Sequence, residues 1–310
     1  MKKVLVTPRS FAKYNHQEIL ALFQSNNIEP IFNPYNAIMN EEQLIEALKD
    51  VDGLIVGVDP ITEKVINSAP NLKAIAKYGV GIDNIDMNIA EAKKIAVSRT
   101  VGANSSAVAD YSFALLMAVA RRVVEIHNGC KNGDWGKKIA LDVFGKKIGI
   151  LGLGAIGRGM VQRAKGFNMD IYAYDIFKDE AYIQENNIKF VDVETIVQEC
   201  DFISIHMPLT EETHHMINRD LLSNAKSNLV LINTARGGIV DEEALYEAIA
   251  DNKIYGAGID AFEEEPPQNS KLLSLENVVV GSHTAASSFE ATNLMSLMAT
   301  ENIIRDLERM

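Results

Sequence analysis

Cysteine is scarce: Cys130 and Cys200 are the two in 310 residues. They form no CxxC pair and no metal-ligand spacing, so free thiols in a reducing cytoplasm are the simplest reading. Cationic charge is short as well. Lys and Arg number 30 against 42 Asp and Glu, a net charge of −12. That balance argues against a general nucleic-acid binder and against a polybasic membrane surface. No fully apolar run exceeds the eight residues Phe113–Ala120, whereas a membrane span needs about 20. The amino terminus, MKKVLVTPRS, has a run of only three apolar residues before Thr7 and Pro8, too few for a secretory core. A cytoplasmic protein without nucleic-acid or membrane partners is expected. At about 150 residues per domain the length allows two domains. An acidic exterior still permits a locally positive pocket for an anionic small molecule.

What is present is an alternation of short β-branched runs with amphipathic stretches. The runs are 2–7, 53–57, 72–78 and 94–98, then 146–152, 169–175, 202–207, 228–233 and 277–282. Apolar strands separated by helices imply parallel sheets covered on both faces. Two sets of strands are expected, separated by the segment 104–129. There Asn104 to Ser106 supply caps, and helical apolar spacing continues for about six turns. A helix of that length reads as an interdomain connector or an oligomer face. The loop EEEPPQNS (263–270) is rich in acid and proline and reads as a surface loop or a site rim.

The strongest local signal is KKIGILGLGAIGRGM (146–160). Gly152, Gly154 and Gly157 fit GxGxxG directly after an apolar strand and before a helix. The first glycine allows the tight turn, the second close approach to a pyrophosphate, the third close helix–strand packing. The free N–H groups of the following helix then face the phosphates. The next strand ends at Asp175, eighteen residues beyond Gly157. A carboxylate there accepts hydrogen bonds from the adenosine ribose and repels a 2′-phosphate, which favours NAD over NADP.

Three later segments end strands on the C-terminal edge of the second sheet, where ligands bind in open α/β folds. INTARGGIVDEEAL (232–245) presents Arg236, whose guanidinium suits a carboxylate. GAGIDAFEEEPP (256–267) presents Asp260 and Glu265, and VVVGSHTAASS (278–288) presents His283. A carboxylate beside an imidazole stabilises the imidazolium, which can then donate a proton to a carbonyl. Taken singly, Arg236 also reads as a surface ion pair, Glu265 as a solvated loop residue and His283 as a loop or core histidine. Their joint placement with a dinucleotide turn points to hydride transfer at a carbon next to a carboxylate.

At these residues the chain resembles the D-isomer-specific 2-hydroxyacid dehydrogenases, in particular their phosphoglycerate dehydrogenase-like branch. The matching stretches are KYGVGIDNID (77–86), VGANSSAVAD (101–110), LGLGAIG (151–157), HMPLTEET (206–213), NTARGGIVDEEAL (233–245), residues 260–267 and SHTAASSFEA (282–291). The resemblance implies an α/β fold of two doubly wound parallel-sheet domains. One is a flavodoxin-like substrate domain of 1–98 plus 287–310, the other a Rossmann NAD-binding domain of 99–286. It implies that Arg236 binds the substrate carboxylate, that His283 is the acid–base and that Glu265 pairs with it. Asp260 is implied near the nicotinamide. Tyr78, Gly79, Val80 and Gly81 are implied as a substrate loop, with Asn104 close by. Ile156 and Arg158 are implied beside the pyrophosphate, His206, Pro208 and Thr213 around the adenosine pocket, and Thr234 and Ala235 on the nicotinamide side. No metal is implied. A homodimer is, with the loop around Trp135 either reaching the partner subunit or anchoring a turn.

The chain also departs from the family's pattern. Val101 stands where a Pro is frequent, and Asp110–Tyr111 where Glu-His is frequent. Phosphoglycerate enzymes often carry an Arg-Ser near the positions of Gly57 and Val58, and no Arg stands there. Arg9 with Ser10, and Arg99, are substitutes or plain surface charge. The C-terminal regulatory domains of longer relatives are missing from this sequence, and inhibition through them is not expected. The leading substrate is 3-phosphoglycerate or its oxo acid. The alternatives are hydroxypyruvate, glyoxylate or another 2-oxo acid, and, in a different class, an NAD(H)-sensing corepressor-like binding protein.

Overall fold

The computed structural model describes residues 1–309, which divide into two compact units: 1–104 with 287–309, and Ser105–Ala286. The first boundary thus falls at the foot of a helix, a few residues beyond 98, and not directly after a strand.

The first unit holds β1 (Lys2–Val6), β2 (Ile28–Phe32), β3 (Gly53–Val56), β4 (Ala74–Lys77) and β5 (Ala96–Arg99), all parallel in the order β2-β1-β3-β4-β5. This is the flavodoxin-like doubly wound order. β2 escapes the sequence reading because Pro30 interrupts its pattern. An edge strand tolerates proline since one side of it needs no ladder bond, and β2 is the edge. The helix Phe289–Glu308 returns to cover this sheet, and Ile303 and Leu307 lie against Gly53. Ser288 caps it, its hydroxyl accepting the Ala291 N–H at 3.0 Å.

The second unit holds β6 (Lys147–Leu151), β7 (Asp170–Tyr174), β8 (Lys189–Phe190), β9 (Phe202–Ile205), β10 (Val230–Asn233), β11 (Gly256–Ile259) and β12 (Val278–Val280). They are parallel in the order β12-β11-β10-β9-β6-β7-β8. This is the Rossmann order with one added edge strand, and its switch point lies between β6 and β9. β9 and β10 are buried along their whole length, as expected of central parallel strands covered on both faces.

The segment 104–129 is not one helix. It forms Ser105–Ala120 and Val123–Lys131, separated where Arg122 adopts a left-handed φ of 53°. Val108, Phe113, Leu115, Leu116 and Val119 of the first helix are buried in the unit's own core. It is therefore a core helix and not a connector. The second helix buries no residue. Asn104 provides no side-chain cap, for its Oδ1 is buried without a hydrogen-bond partner.

Candidate active site

The glycine turn is built as its spacing predicts, each glycine for a different reason. Gly152 has φ 99°, and a Cβ on it would stand 2.6 Å from the His206 carbonyl oxygen. A Cβ on Gly157 would stand 1.9 Å from the Gly152 carbonyl oxygen. A Cβ on Gly154 would meet nothing within 4 Å, so the space in front of it is open. The helix Ala155–Gly166 begins there, with its first N–H groups pointing outward. Ile156 packs its side chain against the core. Open space, a helix start and a strand-end carboxylate at the switch point fit a dinucleotide.

Asp175 is anchored to this turn. Its Oδ2 accepts the Leu153 N–H at 2.6 Å and its Oδ1 the Phe177 N–H at 2.9 Å. The Arg158 side chain is held by the turn and the loop after β7. Its Nε donates to the Leu153 carbonyl at 3.0 Å, its NH2 pairs with Asp179 Oδ2 at 2.7 Å, and the guanidinium lies 4.2 Å from the Tyr182 ring centre.

Beyond β9, His206 donates its N–H to the Leu151 carbonyl and bonds Ser204 Oγ through Nε2 at 2.8 Å. Its Nδ1 is shut off from solvent without a partner, and this enclosure drives the imidazole down to about 3. His206 is therefore neutral at pH 7. Thr213 closes the following loop, its hydroxyl donating to the Pro208 carbonyl at 2.7 Å and accepting the Thr210 N–H at 2.7 Å.

The acid–base pair forms at the ends of β11 and β12. His283 Nδ1 lies 2.9 Å from both carboxylate oxygens of Glu265. Burial pushes the Glu265 carboxyl up. The His283 hydrogen bond and charge, the Phe262 N–H and the Arg236 guanidinium outweigh burial and hold it below the ordinary carboxylate value. With Nδ1 held by Glu265, Nε2 is left to exchange a proton. His283 has a left-handed φ of 54°, a conformation that needs support from its surroundings. Asp260, 1% exposed, provides it. Its carbonyl accepts the His283 N–H at 2.9 Å, and its carboxylate accepts the N–H groups of Thr284 at 3.0 Å and Ala285 at 2.8 Å.

Arg236 leaves β10 through a turn that the sequence reading did not single out. Asn233 Nδ2 donates to the Arg236 carbonyl at 2.8 Å, and Asn233 Oδ1 accepts the Ala235 N–H at 3.1 Å. An Asn at a strand end is the available signal, since its side chain closes such turns. The Thr234 hydroxyl is bonded to Ser112 Oγ at 2.7 Å on the core helix, and Arg236 NH1 donates to the Ala235 carbonyl at 2.8 Å.

In the first unit, Tyr78 packs edge-on to Phe11 and donates its hydroxyl to the Thr292 carbonyl at 3.1 Å. Gly79, at φ 135°, donates its N–H to Thr100 Oγ1 at 2.8 Å. Val80 follows in the bend and Gly81 directly after it. After β3, Gly57 is fixed by its neighbours: its carbonyl accepts from Lys77 Nζ and from Asn84 Nδ2 at 3.1 Å. Lys77 also reaches Asn84 Oδ1 at 2.6 Å and is 6% exposed. Arg9, Ser10 and Arg99 are exposed, and Ser10 Oγ lies 3.5 Å from the Tyr78 hydroxyl. Among the described residues, no group of three or more His, Cys, Asp or Glu could hold a metal ion, and no helix is long and apolar enough to cross a membrane.

Residues 113–285 match the family profile described as D-isomer specific 2-hydroxyacid dehydrogenase, NAD binding domain. The chain is 43% identical over 273 residues to a glyoxylate reductase of Korarchaeum cryptofilum, covering 86% of this chain and 82% of that one. It is 40% identical over 275 residues to a hydroxypyruvate reductase of Thermotoga maritima, covering 87% and 89%. Among solved structures, the TT0316 protein of Thermus thermophilus superimposes with a TM-score of 0.90 at 33% identity, covering 99% of this chain and 97% of that one.

Proposed function

The chain belongs to the D-isomer-specific 2-hydroxyacid dehydrogenases, and from that premise we propose that it is an NAD-dependent reductase of short, unphosphorylated 2-oxo acids, glyoxylate and hydroxypyruvate first among them. It is an oxidoreductase with an NAD-binding domain. Bound on the glycine turn, the nicotinamide would supply the redox half of the reaction, NADH giving a hydride to C2 of an oxo acid and NAD+ taking one from C2 of a hydroxy acid. Arg236 grips the substrate carboxylate and orients the carbonyl. His283 gives a proton from Nε2 to the carbonyl oxygen as C2 is reduced, and Glu265 holds the ring through Nδ1. Asp260 and Asn233 are positioning residues, the first for the His283 loop and the second for the Arg236 turn.

The observation that carries the choice of substrate is the end of β3. A phosphate dianion calls for cations or several donors. Gly57 and Val58 bring none, and the Lys77 ammonium beside Gly57 is buried on the Gly57 carbonyl and Asn84. This moves the reading away from 3-phosphoglycerate, the leading expectation from sequence. The names of the relatives quoted above support the same choice.

The test is NADH oxidation with glyoxylate, hydroxypyruvate and phosphohydroxypyruvate in parallel. The expected result is higher kcat/KM for the two unphosphorylated acids. Preference for phosphohydroxypyruvate overturns the proposal, and tight NADH binding without turnover on any 2-oxo acid favours the sensor reading.

A homodimer is part of the same proposal. The helix Val123–Lys131 buries nothing, and Trp135 and Ile139 beyond it are 82% and 91% exposed. An apolar face of this kind calls for a partner, and a second copy is the occupant expected in this family. Sedimentation of the wild type and of Trp135→Ser tests it; a wild-type monomer refutes it.

A further inference from the structure

The edge of the glycine turn that receives the adenosine ribose has a second acidic component. Leu153 is bracketed by two side chains of opposite charge. Its N–H donates to Asp175 Oδ2 at 2.6 Å, and its carbonyl accepts from Arg158 Nε at 3.0 Å. The guanidinium and the carboxylate that the NAD reading assigns to the ribose hydroxyls thus hold opposite ends of one residue. A guanidinium is the side chain best suited to a phosphate, by charge and by its planar fork of donors. Left to itself, Arg158 would offset the repulsion that Asp175 exerts on a 2′-phosphate.

It is not left to itself. Arg158 NH2 is bonded to Asp179 Oδ2 at 2.7 Å, and the Tyr182 ring covers the guanidinium at 4.2 Å. Asp179 is itself fixed, since its Oδ1 accepts the Tyr182 N–H at 3.1 Å as the cap of the helix Glu180–Glu185. That backbone bond and the Arg158 guanidinium hold the Asp179 carboxyl below its ordinary range. It stays ionised at neutral pH. The other cation of this loop, Lys178, is paired with Glu180 at 3.3 Å.

We propose that Asp179 is a second specificity-determining residue for the cofactor: by holding the Arg158 guanidinium it withholds that group from a 2′-phosphate, so that rejection of NADP rests on Asp175 and Asp179 together. This inference rests on the NAD reading of the turn and goes beyond it. Removing Asp175 alone leaves Arg158 neutralised and yields only part of the switch.

The test uses ligands without a nicotinamide, so that binding is read apart from turnover. ADP-ribose and 2′-phospho-ADP-ribose are titrated by calorimetry into the wild type, Asp175→Ser, Asp179→Asn, the double variant and the double variant with Arg158→Gln. The Asp179→Asn change keeps a side-chain oxygen for the helix cap. The quantity read is the ratio of the two affinities within each protein. Adding Asp179→Asn to Asp175→Ser is expected to shift that ratio toward the phosphorylated ligand by about tenfold, the worth of one charge-assisted contact. Adding Arg158→Gln is expected to abolish the gain. No shift, or a shift that survives Arg158→Gln, overturns the proposal. If the double variant binds neither ligand, Asp179→Asn alone decides, and an unshifted ratio overturns it. A wild type that binds the phosphorylated ligand as tightly as ADP-ribose refutes the NAD reading instead.

Discussion

Both carboxylate oxygens of Glu265 lie 2.9 Å from Nδ1 of His283. The contact fixes the ring and leaves Nε2 as the nitrogen that exchanges a proton. Replacing His283 by Ala should lower kcat with glyoxylate by about 10²–10⁴-fold, the usual worth of a general acid. NADH affinity, read by fluorescence titration, should change by less than about threefold. Equal losses in turnover and NADH affinity would remove His283 from the chemistry.

Glu265 links that pair to stability. Its carboxyl is held below the ordinary value of 4.5 by His283, Phe262 and Arg236 against the upward push of burial. The unfolded chain therefore binds this proton first as pH falls. The stabilisation is complete above about pH 4.5 and disappears as pH drops through the depressed native value. Glu265→Gln should flatten the pH dependence of urea unfolding below about pH 4.5. A slope unchanged by the substitution contradicts the assignment.

His206 acts in a different window. Enclosure lowers its imidazole to about 3, while the unfolded residue titrates near 6.5. The unfolded chain takes up this proton from about pH 6.5 downward and the native protein does not. Stability should fall with decreasing pH there, by up to about 1.4 kcal/mol per unit. His206→Gln should remove that slope, most clearly between about pH 6 and 5, where Glu265 does not titrate. Parallel unfolding curves for wild type and variant across this range would count against a neutral His206 with an enclosed Nδ1.

The glycines of the turn should separate binding from folding. Gly154 has an ordinary φ of −66° and open space before its missing Cβ. Gly154→Ala should leave stability within about 0.5 kcal/mol and weaken NADH binding about tenfold or more. Gly157→Ala must place a Cβ 1.9 Å from the Gly152 carbonyl oxygen, and should destabilise the protein by about 3 kcal/mol. Thermal melts beside NADH titrations read both effects. Intact NADH affinity in Gly154→Ala would argue that the open space is not where the cofactor lies.

Arg236 should govern the acid and not the cofactor. Arg236→Gln is expected to lower kcat/KM for glyoxylate by about 10²-fold or more, the worth of a lost charge-assisted fork. NADH affinity should stay within about threefold. Unchanged kcat/KM would exclude Arg236 as the carboxylate anchor.

Local chemistry made much of this legible in the chain itself. Strands of Val, Ile and Leu alternating with helical spacing determined two parallel sheets, because a sheet buried on both faces admits few other residues. Three glycines at fixed spacing between a strand and a helix determined the dinucleotide turn, because Gly152 and Gly157 each stand where a Cβ would strike backbone. The tertiary structure decided what depends on neighbours distant in sequence. It broke the segment 104–129 at Arg122 and made its first half a core helix. It admitted β2 despite Pro30, because only position in a sheet distinguishes an edge from a centre. It turned Arg158 onto Asp179, 21 residues away, and made Asp260 the support of the His283 loop. Spacing along a chain encodes backbone conformation and burial; which charge meets which is decided when the fold brings separate strand ends to one edge.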